Sequence, residues 1–370
     1  MTTRAAARLA IRTAVAAKGL SYDALLDAVA DAEEALAFAA ANAAAPAPRG
    51  GEEDRELSAA STFLRTCAPP LDGSGHKGSG GRVGILGGSK DYTGAPYYAG
   101  MASLRAGSEL VYMMTALEAA GPIKAYSPEL MVTPVYVHAR LAGDGVERAA
   151  LAAGVGALLP KLHVLVLGPG LGRNAEVLEG VADAIIAARS AELPLVIDAD
   201  GLWLIARRPD LVRNYPWAVL TPNAREYAIL AERVTGRSDA TVEALCDALG
   251  GVTIVKKGAV DVIANGVSAL TQRVEGAGAP RRCGGLGDFL AGTIGTFAAW
   301  AKHEDSRRRR VAAGSTAVSP PLLLEACAAA CVLVRRSCSA AYQTHKRSMT
   351  APDVLAALGG EMAVMEEGAS

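Results

Sequence analysis

The segment Arg281–Gly292 carries the residues whose chemistry can be named first. Gly284, Gly285 and Gly287 fall within four positions, which lets the backbone bend so that successive N–H groups converge on one point. The apolar residues that follow predict a helix, whose first N–H groups and dipole would add to the same anion site. The segment therefore predicts a site for a phosphate group.

Asp288 follows this glycine loop on the first turn of the predicted helix. A carboxylate there can reach a hydroxyl group beside the bound phosphate and accept its proton as the hydroxyl oxygen attacks phosphorus. The helix dipole predicts that this carboxylate stays ionised at neutral pH. A simple helix cap is the alternative, but it explains one Asp and one Gly and not the whole group.

Two familiar nucleotide-binding motifs are absent from the glycine-rich segments. Gly168–Gly172 follows a predicted strand, but Arg173 occupies the last glycine position of a dinucleotide-binding G-x-G-x-x-G motif. Gly87–Lys90 lacks the spacing of a Walker loop. Phosphates must therefore be bound by a different arrangement of glycines.

Short apolar runs alternate with helix-like stretches from about Glu52 onward. This alternation predicts one three-layer α/β/α domain with a mostly parallel central sheet. The predicted strands are Val83–Leu86, Leu110–Met114, Val164–Leu167, Leu195–Ile197, Ala218–Leu220 and Thr253–Val255. The predicted helices include Tyr97–Ala106, Ala175–Arg189, Thr241–Leu249, Leu290–Ala301 and Leu322–Tyr342. Val260–Ala264 and Ser268–Thr271, separated by Asn265-Gly266, predict a β-hairpin.

The chain divides into three parts by composition. Residues 1–50 are rich in alanine and end in a Pro-containing run, which predicts a leader and linker. Residues 51–362 form the predicted domain, and residues 363–370 a tail. Within the domain, the hydrophilic stretch His303–Pro320 contains four consecutive arginines and predicts a solvated loop insertion.

The leader sequence does not distinguish a cytoplasmic from a mitochondrial location. Arg4, Arg8 and Arg12 recur every fourth position, and no acidic residue precedes Asp23, which suits a mitochondrial presequence. An alanine-rich surface helix explains the same pattern equally well. A cytoplasmic and a mitochondrial location are both expected, and imaging the protein with and without its first 22 residues would separate them.

Composition excludes several classes of partner. Lys and Arg total 37 against 38 Asp and Glu, a net charge of −1 that argues against nucleic acid or an anionic membrane as partner. No uncharged apolar run approaches the roughly 20 residues of a membrane helix. Six cysteines without framework spacing predict free thiols. Cys327, Cys331 and Cys338 share one helix face, which favours core packing over a metal site.

A series of segments, in order from about Gly75 to Leu358, resembles the NAD(P)H-hydrate dehydratases. They are Gly75–Gly78, Val83–Ser89, Tyr92–Pro96, Gly168–Arg173, Val196–Trp203, Leu220–Glu226, Lys257–Ile263, Arg282–Asp288 and Arg347–Ala351. The resemblance implies a ribokinase-like fold and an ATP- or ADP-dependent hydro-lyase. It implies that the S form of NADH or NADPH hydrate receives a phosphoryl group on its hydroxyl and then loses phosphate, which restores the dihydronicotinamide.

The resemblance also implies roles for individual residues. The catalytic set is Asp288, Gly285 and Gly287. The nucleotide-binding set is Lys257, Gly258, Ala259, Val260, Asp261, Arg282, Cys283, Gly284, Gly285, Leu286 and Gly287. The substrate-binding set is Gly170, Gly172, Asn223, Ala224, Arg225, Glu226, Tyr227 and Asp288. Mg²⁺ is expected on the nucleotide phosphates, with Glu226 contributing through a bound water molecule.

Several of these residues have simpler explanations when taken alone. Asn223 and Glu226 fit a helix N-cap and first-turn acid, and Lys257 fits a surface lysine at a strand end. Asp198 and Asp200 share a face at a strand end, where a turn with caps competes with a paired-carboxylate metal site. His76, Lys77, Tyr92 and Thr93 are expected to close over or line the pocket.

Two other functions compete with the dehydratase. One is a ribokinase-like kinase of a vitamin precursor alcohol, which would leave a stable phosphorylated product. The other is a nucleotide-binding regulatory protein without turnover, against which the complete Gly284–Asp288 loop argues. The family resemblance further implies a homo-oligomer and a functional partnership with an NAD(P)H-hydrate epimerase encoded as a separate protein.

Overall fold

The computed structural model describes residues 50–266, 270–276, 278–311 and 320–368. A nine-stranded sheet has the order β3-β2-β1-β4-β5-β6-β7-β8-β9, in which all pairs from β3 to β7 are parallel and the last two are antiparallel. The strands are β1 Arg82–Leu86, β2 Leu110–Ala116, β3 Leu130–Tyr136, β4 Val164–Leu167, β5 Leu195–Ile197, β6 Ala218–Leu220, β7 Thr253–Lys256, β8 Asp261–Asn265 and β9 Leu270–Val274.

Helices cover both faces of this sheet. They are α1 Gly50–Cys67, α2 Gly94–Arg105, α3 Leu117–Tyr126, α4 Val146–Gly156, α5 Ala175–Ser190, α6 Asp200–Arg207, α7 Ala224–Thr235, α8 Val242–Leu249, α9 Leu286–Val311, α10 Pro320–His345 and α11 Ala351–Glu367. The long helix α9 packs on β1, β4 and β5 and is flanked by α2 and α10. Helices α4 to α8 pack in succession in a second layer. The predicted three-layer α/β/α domain is confirmed.

The central strands explain why apolar runs mark the sheet so clearly. Each residue of β4, Val164–Leu167, is fully buried, because helices cover both faces of a parallel strand. All six predicted strands are present, and the predicted hairpin is present as the antiparallel pair β8–β9. Residues 267–269 of its turn lie outside the described residues.

Strand β3, Leu130–Tyr136, is an element that the sequence pattern does not predict. It lies at the edge of the sheet, contains Pro134 and exposes several of its residues. Proline cannot donate to a strand ladder and is tolerated at an edge. The apolar run that identifies a central strand is therefore interrupted here.

The prediction of a solvated loop at His303–Pro320 is wrong for its first half. Helix α9 continues to Val311, and residues 312–319 lie outside the described residues. The buried carboxylates of Glu304 and Asp305 bind the following arginines one helical turn later: Arg307 and Arg308 bind Glu304, and Arg309 binds Asp305. These pairs, and cations at the negative end of the helix dipole, stabilise a helix where composition suggested a loop.

The remaining boundaries also differ in detail. The expected tail from residue 363 is helical as far as Glu367, and Met365 is buried in the core. Residues 1–49, which include most of the expected leader, lie outside the described residues. All six cysteines are free, as predicted, and Cys327, Cys331 and Cys338 are buried. In the part of the chain that the structure describes, no helix is long and apolar enough to cross a membrane.

Candidate active site

The carboxyl ends of parallel strands meet the first turn of helix α9 at one edge of the sheet. Asp198 follows β5, Lys257 follows β7, and Asp288 lies on the first turn of α9. Glu226, on the first turn of α7 after β6, completes the group. We call these four side chains the charge cluster. The edge beyond the strand ends is where open α/β sheets bind ligands.

An ion pair lies at the centre of the charge cluster. Lys257 Nζ is 2.8 Å from Asp198 Oδ1, and the Thr221 hydroxyl donates to the same oxygen at 2.8 Å. Only 3% of the Asp198 side chain and 18% of the Lys257 side chain are exposed. Burial alone would lower the pKa of Lys257, but the carboxylates of Asp198 and Glu226 hold it above its ordinary value. Lys257 is therefore a buried, charged ammonium group.

Asp288 does not behave as the helix dipole alone predicts. Burial raises its pKa well above the ordinary value of 3.8, and the charges of Asp198 and Glu226 raise it further, against the lowering effect of Lys257. Desolvation and two like charges thus outweigh the dipole in setting the direction of the pKa shift, and ionisation of Asp288 at neutral pH stays a prediction. A carboxylate with raised proton affinity is a better general base for a hydroxyl proton.

The glycine loop before Asp288 needs its glycines for two different reasons. Gly285 has φ +98°, and a Cβ there would lie 3.0 Å from Tyr98 Cδ2 and 3.2 Å from Ala351 Cβ. Gly287 is needed for proximity, since a Cβ would lie 3.2 Å from Lys257 Nζ. The loop therefore brings its backbone directly against the buried ammonium group.

Tyr98 is a site residue that the sequence analysis missed. Its ring contacts the Phe289 ring edge-on at 5.3 Å between centroids and lies against Gly285. Burial raises the pKa of Tyr98, and the neighbouring groups Tyr97, Cys283 and Asp288 raise it further. The available signal was a pair of adjacent tyrosines in a chain with only 5% aromatic residues.

The Gly170 and Gly172 loop lies beside the charge cluster. Both glycines have positive φ, and a Cβ on Gly170 would lie 2.9 Å from Tyr92 Cβ. Asp200 binds this loop, because its Oδ2 accepts from Gly172 N at 2.8 Å and its Oδ1 accepts from Arg173 Nε at 3.0 Å. Asp198 and Asp200 thus bind different partners and do not act as a carboxylate pair.

Asn223 and Glu226 form the helix cap that the simpler explanation predicted. The Asn223 side chain accepts from Glu226 N at 2.9 Å, and Glu226 Oε2 accepts from Asn223 N at 2.8 Å. The same Glu226 oxygen lies 3.9 Å from Lys257 Nζ. Burial raises the pKa of Glu226, and the charge of Lys257 lowers it. Glu226 is therefore both a cap and a member of the charge cluster.

Other residues assigned by the sequence analysis add no side chain to the charge cluster. Tyr227 is 2% exposed and its hydroxyl donates to Ala240 O, so its side chain belongs to the core and only its backbone remains for a substrate. Cys283 is half-buried, and burial raises the pKa of its thiol, which disfavours a nucleophilic thiolate. His76 and Lys77 lie on an exposed loop before β1, at the edge of the sheet opposite the charge cluster, so the expectation that they close over or line this pocket is wrong for the fold of this chain.

A mostly parallel sheet with a glycine loop and a half-buried aspartate at a helix N-terminus is the arrangement of a ribokinase-like protein. The sequence model of the family described as NAD(P)H-hydrate dehydratase matches residues 83–359. The chain belongs to the NAD(P)H-hydrate dehydratase family, and the expected family is confirmed.

Two relatives bear the name ATP-dependent (S)-NAD(P)H-hydrate dehydratase. The protein of Rattus norvegicus is 43% identical over 303 residues, which cover 80% of this chain and 82% of the rat chain. The protein of Homo sapiens is 37% identical over 378 residues, covering 99% of this chain and 100% of the human chain. This chain is therefore similar to such enzymes over nearly their whole length.

Solved structures show the same fold. A ribokinase-like superfamily protein from Enterococcus faecalis aligns with a TM-score of 0.62 and 22% identity, covering 82% of this chain and 94% of that chain. The ADP/ATP-dependent NAD(P)H-hydrate dehydratase from Bacillus subtilis, co-crystallized with ATP and Mg²⁺, aligns with a TM-score of 0.58 and 20% identity, covering 83% and 97%. The predicted ribokinase-like fold is confirmed.

Proposed function

We propose that this chain dehydrates the S form of NADH or NADPH hydrate to NADH or NADPH at the expense of ATP. One observation carries the proposal: a half-buried Asp288 of raised proton affinity adjoins the glycine loop and the Lys257 ammonium group. That combination suits proton removal from a hydroxyl group at the moment when negative charge develops on a transferring phosphoryl group. The names of the relatives supply the substrate class.

The proposed reaction has two steps, phosphoryl transfer to the hydrate and then loss of phosphate. The hydroxyl oxygen of the hydrate attacks the terminal phosphorus of ATP, the bond to ADP breaks, and Asp288 takes the hydroxyl proton. The phosphorylated carbon then loses phosphate while the neighbouring ring carbon gives its proton to water or to the departing phosphate, and the ring double bond forms. Hydroxide is a poor leaving group and phosphate a good one, so ATP supplies the driving force. The oxygen of the original hydrate leaves within inorganic phosphate.

The polar groups of the site have distinct roles in this scheme. The N–H groups of Gly284, Gly285 and Gly287 are donors for the oxygens of the transferring phosphoryl group. Lys257, 3.2 Å from the position of a Gly287 Cβ, neutralises charge on the same group. The loop of Gly170 and Gly172 is assigned to the hydrate, as the sequence predicts.

Mg²⁺ is proposed as a companion of the nucleotide. Among the residues that the structure describes, no group of three or more His, Cys, Asp or Glu side chains is arranged to hold an ion. The Lys257 ammonium group lies beside the carboxylates of Asp198 and Glu226, which leaves no all-protein metal site there. Mg²⁺ would therefore bind mainly to nucleotide phosphate oxygens, with Glu226 reaching it through water.

The test uses the purified full-length chain with the S hydrate, Mg²⁺ and either ATP or ADP. We expect dihydronicotinamide absorbance to return and inorganic phosphate to appear in equal amounts, and the comparison of nucleotides decides the donor. A stable phosphorylated product without free phosphate would instead support the vitamin-precursor kinase. Nucleotide binding without turnover of the hydrate would support a regulatory protein. Homo-oligomerisation and the separate epimerase partner stay predictions.

A further inference from the structure

Arg335 of helix α10 reaches into the turn Lys257–Asp261, which the family resemblance assigns to the nucleotide. Its Nη2 donates to the carbonyl oxygens of Gly258 at 2.9 Å and Ala259 at 2.8 Å. Its Nε donates to Asp261 Oδ2 at 2.7 Å. Only 13% of the Arg335 side chain is exposed, so these charge-assisted bonds are partly shielded from water. The Arg335 side chain thus binds three residues of the turn, namely Gly258, Ala259 and Asp261.

Asp261 stabilises the turn through its own side chain. Its Oδ1 accepts from Gly258 N at 2.9 Å, while its Oδ2 accepts from Arg335. The turn is tight, since a Cβ on Gly258 would lie 2.9 Å from Val260 O. The Asp261 side chain is 9% exposed. Together, Asp261 and Arg335 therefore clamp three successive peptide groups of the turn: Asp261 binds the N–H of the Lys257–Gly258 peptide, and Arg335 binds the carbonyls of the next two.

This clamp determines which way two backbone donors point. In a planar trans peptide the C=O and N–H groups point in opposite directions, and no described peptide bond is cis. Because the carbonyls of Gly258 and Ala259 face Arg335, the N–H groups of Ala259 and Val260 point away from it. Adjacent N–H groups that point the same way form a binding surface for an anion or a polar edge.

Arg335 also links the turn to the segment that leads into the glycine loop. Its Nη1 donates to Gly276 O at 3.0 Å. Glu56 of α1 binds the same strand end, accepting from Glu275 N at 2.7 Å and from Gly276 N at 3.1 Å. The turn and the chain just after β9 are thereby tied to one guanidinium group.

We infer that Arg335 is a positioning residue for the nucleotide: it orients the N–H groups of Ala259 and Val260 toward ATP and fixes this turn relative to the chain after β9. The inference rests on the proposed function for the identity of the ligand. Arg335 itself is not required to touch ATP. Its loss should therefore weaken nucleotide binding specifically and leave hydrate binding unchanged.

The experiment compares Arg335→Met with Arg335→Lys and with the matched control Arg336→Met, in the full-length chain. Arg336 is the next residue of α10, but it pairs with Glu361 at 2.8 Å. For Arg335→Met we expect the KM for ATP to rise about tenfold or more, with the KM for the hydrate constant within about twofold. Arg335→Lys keeps the positive charge but loses the forked donors of the guanidinium group. Its KM for ATP should therefore lie between those of wild type and Arg335→Met. The stabilisation of the fold by ATP alone, measured as a shift in Tm, should shrink in the same order.

The outcomes separate this inference from the function on which it rests. An unchanged KM for ATP in folded Arg335→Met, or an equal rise in Arg336→Met, overturns the positioning role. If Arg335→Met does not fold, Arg335→Lys decides by the same two measurements. A wild-type chain whose Tm does not respond to ATP contradicts the proposed function itself, and the inference falls with it.

Discussion

Asp198 and Lys257 form a buried ion pair, with Lys257 Nζ 2.8 Å from Asp198 Oδ1, at the point where the glycine loop approaches the sheet. A buried pair of this kind has little net effect on stability as long as both charges are present. Its loss on one side leaves an uncompensated charge in a poorly solvated place. The Lys257 ammonium group therefore has two roles. It balances the Asp198 carboxylate in the fold, and in the proposed reaction it neutralises charge on the phosphoryl group.

Lys257→Met should destabilise the protein by about 3–5 kcal/mol and abolish most of the activity. The carboxylate of Asp198 would lose its ammonium partner, and the Thr221 hydroxyl alone cannot neutralise it. The pKa of Asp288 would rise further, because Lys257 lowers it. Urea unfolding and steady-state rates measure the two effects.

Lys256→Met is the matched control for this substitution. Lys256 is the preceding residue, and its ammonium group lies over the Tyr227 ring at 4.1 Å from the centroid. Burial lowers the pKa of Lys256, so removal of its charge should cost little. In the double variant Asp198→Asn with Lys257→Met, part of the lost stability should return. Equal destabilisation by the two methionine substitutions would refute the special role of Lys257.

Asp288→Asn should lower kcat by about 10²–10⁴-fold and leave the protein as stable as wild type or more stable at neutral pH. The pKa of Asp288 is raised in the folded state, so the folded protein binds this proton more tightly than the unfolded chain does. The corresponding stability is complete below the ordinary carboxyl pKa and is lost as pH rises through the folded pKa. At neutral pH the wild type therefore bears a cost that asparagine removes.

Thermal unfolding across pH checks this expectation. The difference in Tm between Asp288→Asn and wild type should be largest at neutral pH and should vanish below about pH 4, where the unfolded carboxyl group is also protonated. The rate of wild type should fall on the acid side as Asp288 becomes protonated, at a pH above that of an ordinary aspartate. An asparagine variant that is active, or clearly less stable at neutral pH, would contradict both the role and its cause.

The sequence pattern predicted the sheet because its central strands are buried on both faces. Val164–Leu167 shows this most clearly, since every residue of it is apolar and buried. The edge strand Leu130–Tyr136 has no such signal, because one side of it lacks a neighbouring strand and its residues are partly exposed. The arginine run of α9 was misjudged because its carboxylate partners, Glu304 and Asp305, lie one turn earlier and are themselves buried.

The sequence predicted the glycine loop and Asp288 as site residues, but it did not predict the pKa of Asp288. The glycine loop and Asp288 are adjacent in sequence, so their association needs no tertiary information. The pKa of Asp288 depends on burial and on Asp198 and Glu226, which follow other strands and are distant along the chain. Tyr98 was missed for the same reason, since only folding brings α2 against the first turn of α9.

Glu226→Gln should move the acid limb of the pH–rate profile to lower pH. Glu226 carries one of the negative charges that raise the pKa of Asp288, and glutamine removes that charge. The amide oxygen of glutamine can still accept from Asn223 N, which keeps the helix cap. A full pH–rate profile measures the shift of the apparent pKa.

Asn223→Ala provides the comparison for the cap. It should cost about 1 kcal/mol of stability through loss of the bond to Glu226 N, without a shift of the acid limb. Should Glu226→Gln leave the acid limb in place while Asn223→Ala moves it, the assigned electrostatic role of Glu226 would be wrong.

Gly285→Ala should separate the conformational requirement of the glycine loop from general destabilisation. Gly285 has φ +98°, and its new Cβ would contact Tyr98 and Ala351 at 3.0 and 3.2 Å.

Gly236→Ala is the control for this substitution. Gly236, after helix α7, has φ +75° but nothing within 4 Å of a Cβ, so alanine there strains the backbone without disturbing the site. Both substitutions should cost about 1 kcal/mol of stability or more. Only Gly285→Ala should reduce kcat strongly, by about 10²-fold or more, since the phosphoryl-binding N–H groups would be displaced. Rates and Tm values of the two variants, measured side by side, decide the matter: equal loss of activity in both would show that the loop matters for stability alone.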